Sequence, residues 1–199
     1  MIASAASRGL IGALLIGLLG GLGQRLQAQT VVTIDSTASV IAYTGSAPLH
    51  DWTGTSRSVT GRFVLGGASP DSRVARIRVP VASFDSGNNR RDRKMRAVTE
   101  AQRYPMVRFR ASRLQRVADA AAPDGTQRWA VAGTLTFHGQ SHRLRDTVQV
   151  TQTAGRVRVR ARFPVSLTRF GVERPSFLFF TVADTIRIDA TLVGRIRRR

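Results

Sequence analysis

The stretch Arg156-Val157-Arg158-Val159-Arg160-Ala161-Arg162-Phe163 sets an arginine at each even position and an apolar residue at each odd one. Successive side chains of an extended strand point to opposite faces, so this run divides into a wet face and a buried face as a β-strand and not as a helix. The same period recurs near the C-terminus, where Ile186, Ile188, Ala190 and Leu192 alternate with Thr185, Arg187, Asp189 and Thr191. It recurs again between residues 127 and 138, where Trp129, Val131, Leu135 and Phe137 share one side. Weaker strands read at about 30–35, 38–45, 57–66, 72–82, 106–117, 143–153 and 177–182, most of them separated by clusters of Gly, Pro, Asp, Asn and Ser. Many short strands at near-regular spacing predict an all-β sandwich or barrel, and closing the sheet removes the exposed edges that invite aggregation.

One segment breaks the period. Asn88–Arg103 is highly charged, carries Met95 and Val98 three apart and stops before Tyr104-Pro105, which predicts a short helix capped by Asn88 or Asn89. Low-complexity sequence is confined to Ala118–Ala122 and a basic tail, residues 195–199.

The N-terminus reads separately, as a secretory signal. Arg8 supplies a positive n-region and Leu10–Leu22 an uncharged Leu/Ile/Gly run, shorter than a bilayer span. Leu26-Gln27-Ala28 then puts a small residue before Gln29, so cleavage after Ala28 is expected. Residues 1–28 are then a signal peptide, and the mature protein, periplasmic or secreted, keeps 171 of the 199 residues, enough for one domain over residues 29–194 plus the tail. With no cysteine in the chain, stability has to come from packing.

The net charge of +19, or +17 once Arg8 and Arg25 leave with the signal, favours anionic partners. Lys94 is the one lysine among 31 basic residues, and the arginines are spread through nearly every segment, so the charge reflects a chain-wide preference for arginine. A nucleic-acid module gathers its basic residues on one element and interleaves them with stacking aromatics; nucleic acid is therefore not an expected partner. The arginine ladder of residues 156–162 reads first as a solvated outer face and second as a grip for a polyanion.

No cysteine nucleophile, G-x-S-x-G elbow, P-loop or dinucleotide fingerprint is present, and no paired carboxylates suggest acid–base work. His50, His138 and His142, even with Asp51, lack a ligand spacing supported by Cys or Glu, which favours a structural role at a turn and a loop–strand junction over a metal site. No metal and no cofactor are expected. The run Phe177-Leu178-Phe179-Phe180 puts four large apolar residues in a row, so some must face outward, as a dimer contact or a lipid-facing lip.

Several blocks together resemble a known family. They are Thr33-Ile34-Asp35-Ser36 with Ala38-Ser39-Val40; Leu49-His50-Asp51-Trp52; Ser83-Phe84-Asp85-Ser86-Gly87; Arg91-Asp92-Arg93-Lys94-Met95; Tyr104-Pro105-Met106-Val107-Arg108-Phe109; Gly133-Thr134-Leu135-Thr136-Phe137-His138-Gly139 with His142; and Phe170-Gly171. Their joint order across residues 30–194 resembles the YceI-like family of bacterial lipid-binding, polyisoprenoid-binding, lipocalin-like proteins. The chain departs from it in its Arg-heavy strands, the Ala/Pro insertion near Ala118–Gly125 and the basic tail.

The resemblance implies an antiparallel lipocalin-like β-barrel of about eight strands with one short helix, holding an isoprenoid or other lipid-like molecule in an apolar pore, often as a homodimer. The ligand contacts expected on its inward rows are Phe63, Ile77, Val79, Phe84, Met95, Phe109, Leu135, Phe137, Val159, Phe163, Phe170, Phe177 and Phe179; Arg91, Arg93 and Lys94 are expected at the headgroup. An inward residue reads the same whether it touches ligand or another side chain. The leading expectation is thus an extracytoplasmic carrier and not an enzyme. The rivals are a polyanion-binding or envelope-associated protein, docked on an anionic envelope surface, whose barrel is filled by its own side chains, and an enzyme with a dispersed site.

Overall fold

A computed structural model describes residues 30–48, 50–65, 74–121, 125–174, 176–177 and 180–198. The predicted signal peptide lies outside the described residues. The elements in chain order are β1 (Thr30–Ile34), β2 (Val40–Ala47), β3 (His50–Ser56), β4 (Thr60–Leu65), β5 (Ala75–Pro80), α1 (Asn89–Val98), β6 (Met106–Ala121), β7 (Gln127–Phe137), β8 (Gln140–Thr153), β9 (Arg156–Ser166), β10 (Ser176–Phe177), β11 (Phe180–Thr181) and β12 (Thr185–Arg198).

All pairings are antiparallel, and the order β1-β4-β5-β6-β7-β8-β9-β12 closes through β12–β1 into an eight-stranded barrel. β1 and β2 are two stretches of one path along β12, interrupted by a 3-10 turn at Ser36–Ala38 that the Asp35 side chain caps. The β2–β3 hairpin thereby raises the wall beyond β1 and β4, and its outer edge is tied by Thr55 and Asp85, which exchange backbone hydrogen bonds of 2.8 and 2.9 Å.

The alternation read in residues 156–163 decides which way the wall faces. Val159, Ala161 and Phe163 stand opposite Leu192, Ala190 and Ile188 on the inner surface, while Arg160 and Arg162 stand opposite Thr191 and Asp189 outside. In β6, Phe109 and Ala111 face inward, and a register shift between Ala111 and Arg113 turns Leu114 inward as well, where strict alternation would expose it. One end of the barrel is packed shut: Val32 and Val157 are fully buried beside Phe63 and Leu192.

Three sequence expectations change. β3 is a strand that the pattern did not disclose, because His50-Asp51-Trp52-Thr53-Gly54-Thr55-Ser56 carries one large apolar residue and small ones elsewhere on its inner row. Residues 195–198 are not a tail: they end β12, and the pairs Arg195↔Thr33 through Arg198↔Thr30 complete the barrel. Backbone groups make those bonds, so a run of arginines does not prevent them. The strand expected at 177–182 is a separate pair of two-residue strands, β10 and β11.

Candidate ligand cavity

Inside the wall lies a cavity of about 1140 Å³. Pockets for small molecules run to about 300–1,000 Å³, and at roughly 30 Å³ per water-sized group this one has room for on the order of thirty heavy atoms. The lumen is therefore not filled by the barrel's own side chains, contrary to the premise of the polyanion-binding alternative. Its lining residues that are exposed (Pro48, His50, Asn88, Arg90, Arg93, Lys94 and Glu173) come from the β2–β3 turn, α1 and the segment between β9 and β12, which places the mouth there.

Of the residues expected to line the pore, Phe63, Ile77, Val79, Phe84, Met95, Phe109, Leu135, Phe137, Val159 and Phe163 do so. Arg91, Arg93 and Lys94 line its mouth as expected, joined by Arg90. Phe170 does not. It is buried in a side cluster with Leu135, Val165, Leu167 and Val172, and the His142 ring meets it edge-on at 4.7 Å. Phe170 sits on a 3-10 turn, Thr168–Phe170, in the loop after β9, which turns its ring into this cluster. Phe177 belongs to β10, in a two-stranded pair that is not part of the barrel sheet, its side chain lies outside what is described, and Phe179 lies outside the described residues. The suggested apolar lip at Phe177–Phe180 includes Leu178 and Phe179 and so also falls partly outside them.

Sequence reasoning missed Tyr43, Trp52 and Asp146. Tyr43 and Trp52 face the lumen from β2 and β3, and each lies across a glycine of the other strand. A β-carbon on Gly54 would come within 2.4 Å of the Tyr43 ring, and one on Gly45 within 2.7 Å of Trp52. The spacing of Tyr43 to Gly45 and of Trp52 to Gly54 was the available signal, unread because β3 was not seen. Trp52 also receives the Arg91 guanidinium 5.8 Å from its ring centre, so an aromatic and a cation meet at the mouth. Burial, and then the Asp92 carboxylate, push the Tyr43 phenol above its ordinary pKa, with Arg91 and the Trp52 indole opposing. Its buried hydroxyl makes no hydrogen bond of normal geometry among the described residues.

Helix α1 is placed by polar contacts. Asn88 caps it, accepting from the Arg91 N–H at 3.0 Å. Asp92, only 4% exposed, accepts from the Ser86 N–H (3.2 Å) and hydroxyl (2.7 Å), which fastens the helix to the loop after β5. The cations on either side of Asp92 are thereby directed to the mouth. On the other side of the mouth, the segment between β9 and β12 is tied at its base by Asp184, which accepts from the Ser166 hydroxyl (2.6 Å), the Thr168 N–H (2.8 Å) and the Thr168 hydroxyl. Those bonds hold the Asp184 carboxyl down at about 2.

Asp146 is a carboxylate on an otherwise apolar inner row, between Leu144 and Val148. The β7–β8 ladder runs to Phe137↔Gln140, whereas the β8–β9 ladder stops at Gln149↔Arg160. Just beyond that stop, Asp146 Oδ1 accepts the Thr147 N–H at 2.7 Å, while its buried Oδ2 has no hydrogen-bond partner among the described residues.

His138 and His50 have local partners, whereas the buried His142 Nε2 has no hydrogen-bond partner among the described residues. His138 Nδ1 is 2.9 Å from the Phe170 carbonyl and Nε2 is 3.1 Å from Glu100, which pins the β7–β8 turn to the chain after α1. His50 stacks beside Trp52 with ring centres 5.7 Å apart. Among the described residues no three His, Cys, Asp or Glu side chains cluster as metal ligands would.

A closed antiparallel barrel with an apolar lumen and a polar, helix-lined mouth defines a lipocalin-like protein in architecture. More narrowly, the chain belongs to the YceI-like domain family, whose model matches residues 32–194. Its fold is similar to that of BcnA from Burkholderia cenocepacia, with TM-score 0.69 at 21% identity, covering 80% of this chain and 98% of that one. It is also similar to a polyisoprenoid binding domain from Saccharophagus degradans, TM-score 0.66 at 17% identity, covering 86% and 99%. A Campylobacter jejuni YCEI protein follows at TM-score 0.54 and 15% identity, covering 73% and 84%. Among curated proteins none matches the chain.

Proposed function

We propose that this protein is an extracytoplasmic carrier for an isoprenoid-type or other long apolar amphiphile, with the tail in the barrel and the polar head among Arg90, Arg91, Arg93 and Lys94. The cavity carries the reading: its walls are mainly aliphatic and aromatic, its cations gather on one helix at the mouth, and its carboxylates are Asp146 on the β8 wall and Glu173 at the mouth. Membership of the YceI-like family, and likeness in fold to a polyisoprenoid binding domain, support the same direction. Burying roughly ten methylene-sized groups at about 0.8 kcal/mol each supplies about 8 kcal/mol before ordering costs, and a micromolar Kd corresponds to about 8 kcal/mol. Ordering costs come off that gross figure, so a longer apolar chain or the cations at the mouth must supply the remainder. Nothing in this reading needs chemistry on the ligand; the protein holds and releases.

The test is a titration with geranylgeraniol, read by the fluorescence of Trp52 and Trp129, both of which line the cavity. Ala161→Phe fills the lumen from β9, and Arg158→Ala alters the outer face of the same strand. Saturable binding that weakens roughly tenfold or more in the first variant, and stays unchanged in the second, is expected. No binding by the wild type, or equal loss in both variants, would rule the reading out.

A further inference from the structure

The arginine ladder that stands out in the sequence is the quieter of two. On β9, Arg162 bonds to Asp189, Arg158 and Arg160 face Thr151, Gln149, Val193 and Thr191 across the neighbouring strands, and Arg156 stands opposite Arg195, whose guanidinium is paired with Asp35. On the outer face of β4, β5 and β6 the register does something different. Arg62 stands opposite Arg76, and Arg76 opposite Arg110, in one row; Arg78 stands opposite Arg108 in the next. All five are exposed, and none has an ion pair among the described residues. The row ends are closed by Thr33, Thr60, Thr134 and Thr136, so no carboxylate is interposed.

Directly opposed like charges weaken a sheet, and a chain-wide taste for arginine does not by itself stack three such pairs on one face. The array is a closely spaced grid on the convex outer wall, with strands about 4.8 Å apart and same-face residues about 6.8 Å apart along a strand. The long exposed stems let neighbouring guanidiniums reach several phosphates at once, each able to take a forked contact. Its position is also informative. Arg78 and Arg108 are two residues from the pair Pro80↔Met106 at the rim, where Val81 N–H donates to the Pro105 carbonyl at 2.9 Å and the chain leaves for and returns from α1. The cations of α1 continue the positive surface to the mouth.

We propose that this β4–β5–β6 face docks the protein on an anionic phospholipid bilayer, with the mouth brought to the membrane surface. A bilayer suits it better than a nucleic acid because arginine and threonine alone make up the grid, with no aromatic for a base to stack on. The proposal stands apart from the lumen reading, since empty vesicles can capture the protein whether or not it carries a ligand.

The experiment is co-sedimentation of the mature protein with phosphatidylglycerol–phosphatidylcholine vesicles and with phosphatidylcholine vesicles alone. Arg76→Glu/Arg108→Glu is compared with Arg143→Glu/Arg160→Glu, which makes the same change in net charge on β8 and β9. The wild type should bind only the anionic vesicles; the first variant should bind roughly tenfold or more weakly, and the second close to wild type. Arg76→Glu puts a carboxylate between Arg62 and Arg110, so the first variant should also melt at a higher temperature. Should it fold poorly, Arg76→Gln/Arg108→Gln gives the same comparison with a smaller expected loss. Equal loss in both charge-reversal variants, no loss in the first, no vesicle binding by the wild type, or patch-dependent binding to heparin without any to vesicles would each overturn the proposal.

Discussion

Asp92 shows how much of the mouth depends on one side chain. Its carboxylate takes both the N–H and the hydroxyl of Ser86 while the residue is 4% exposed, so truncation leaves two donors without a partner. Asp92→Ala should lower unfolding free energy by about 2–3 kcal/mol in urea denaturation, and Asp92→Asn by less, because an amide oxygen still accepts. A loss indistinguishable from that of an exposed helix position would contradict the anchoring role. At this scale the apolar half of the cavity was legible from sequence, since ten of the thirteen named residues line it, placed there by alternation along recognisable strands or by the helix and its approach. Phe170 was not, because a 3-10 turn obeys neither the strand period nor the helical one. Asp146 was invisible for another reason: it is a carboxylate on an otherwise apolar inner row.

Between β9 and β12 the chain leaves the barrel and returns, and Asp184 is the clasp at the base of that excursion. Its carboxyl is held from an ordinary 3.8 down to about 2 by Ser166 and Thr168, so the charged form is favoured in the folded protein. A depressed carboxyl stabilises the fold above its unfolded pKa, and the contribution disappears as pH falls through the folded value. The melting temperature of wild type should therefore exceed that of Asp184→Asn at neutral pH, with the gap closing between about pH 4 and pH 2. A gap that persists unchanged to pH 2 would assign the effect to shape and not to charge. Elements were read from sequence where apolar residues alternated with arginine, as in β9 and β12. They were misread where the backbone carries the pairing alone: β3, poor in large apolar residues, went unseen, and the last turn of arginines in β12 passed for a tail.

Taken whole, the molecule combines a wall that is sorted into apolar inside and cationic outside with a lumen closed at one end. The same alternation produces both surfaces, so the sequence disclosed the barrel and its charge together. It did not disclose the pairing of arginine with arginine on β4, β5 and β6, because register across strands is a property of the closed sheet. The central claim is that the cavity of about 1140 Å³ is a place for a ligand. Native mass spectrometry with solvent extraction, on protein isolated from a bacterial envelope without detergent, tests it most directly. The expected result is a chain starting at Gln29 that carries close to one equivalent of an isoprenoid or similar long apolar molecule. A lipid-free protein that also declines polyprenols and quinones on titration would contradict it.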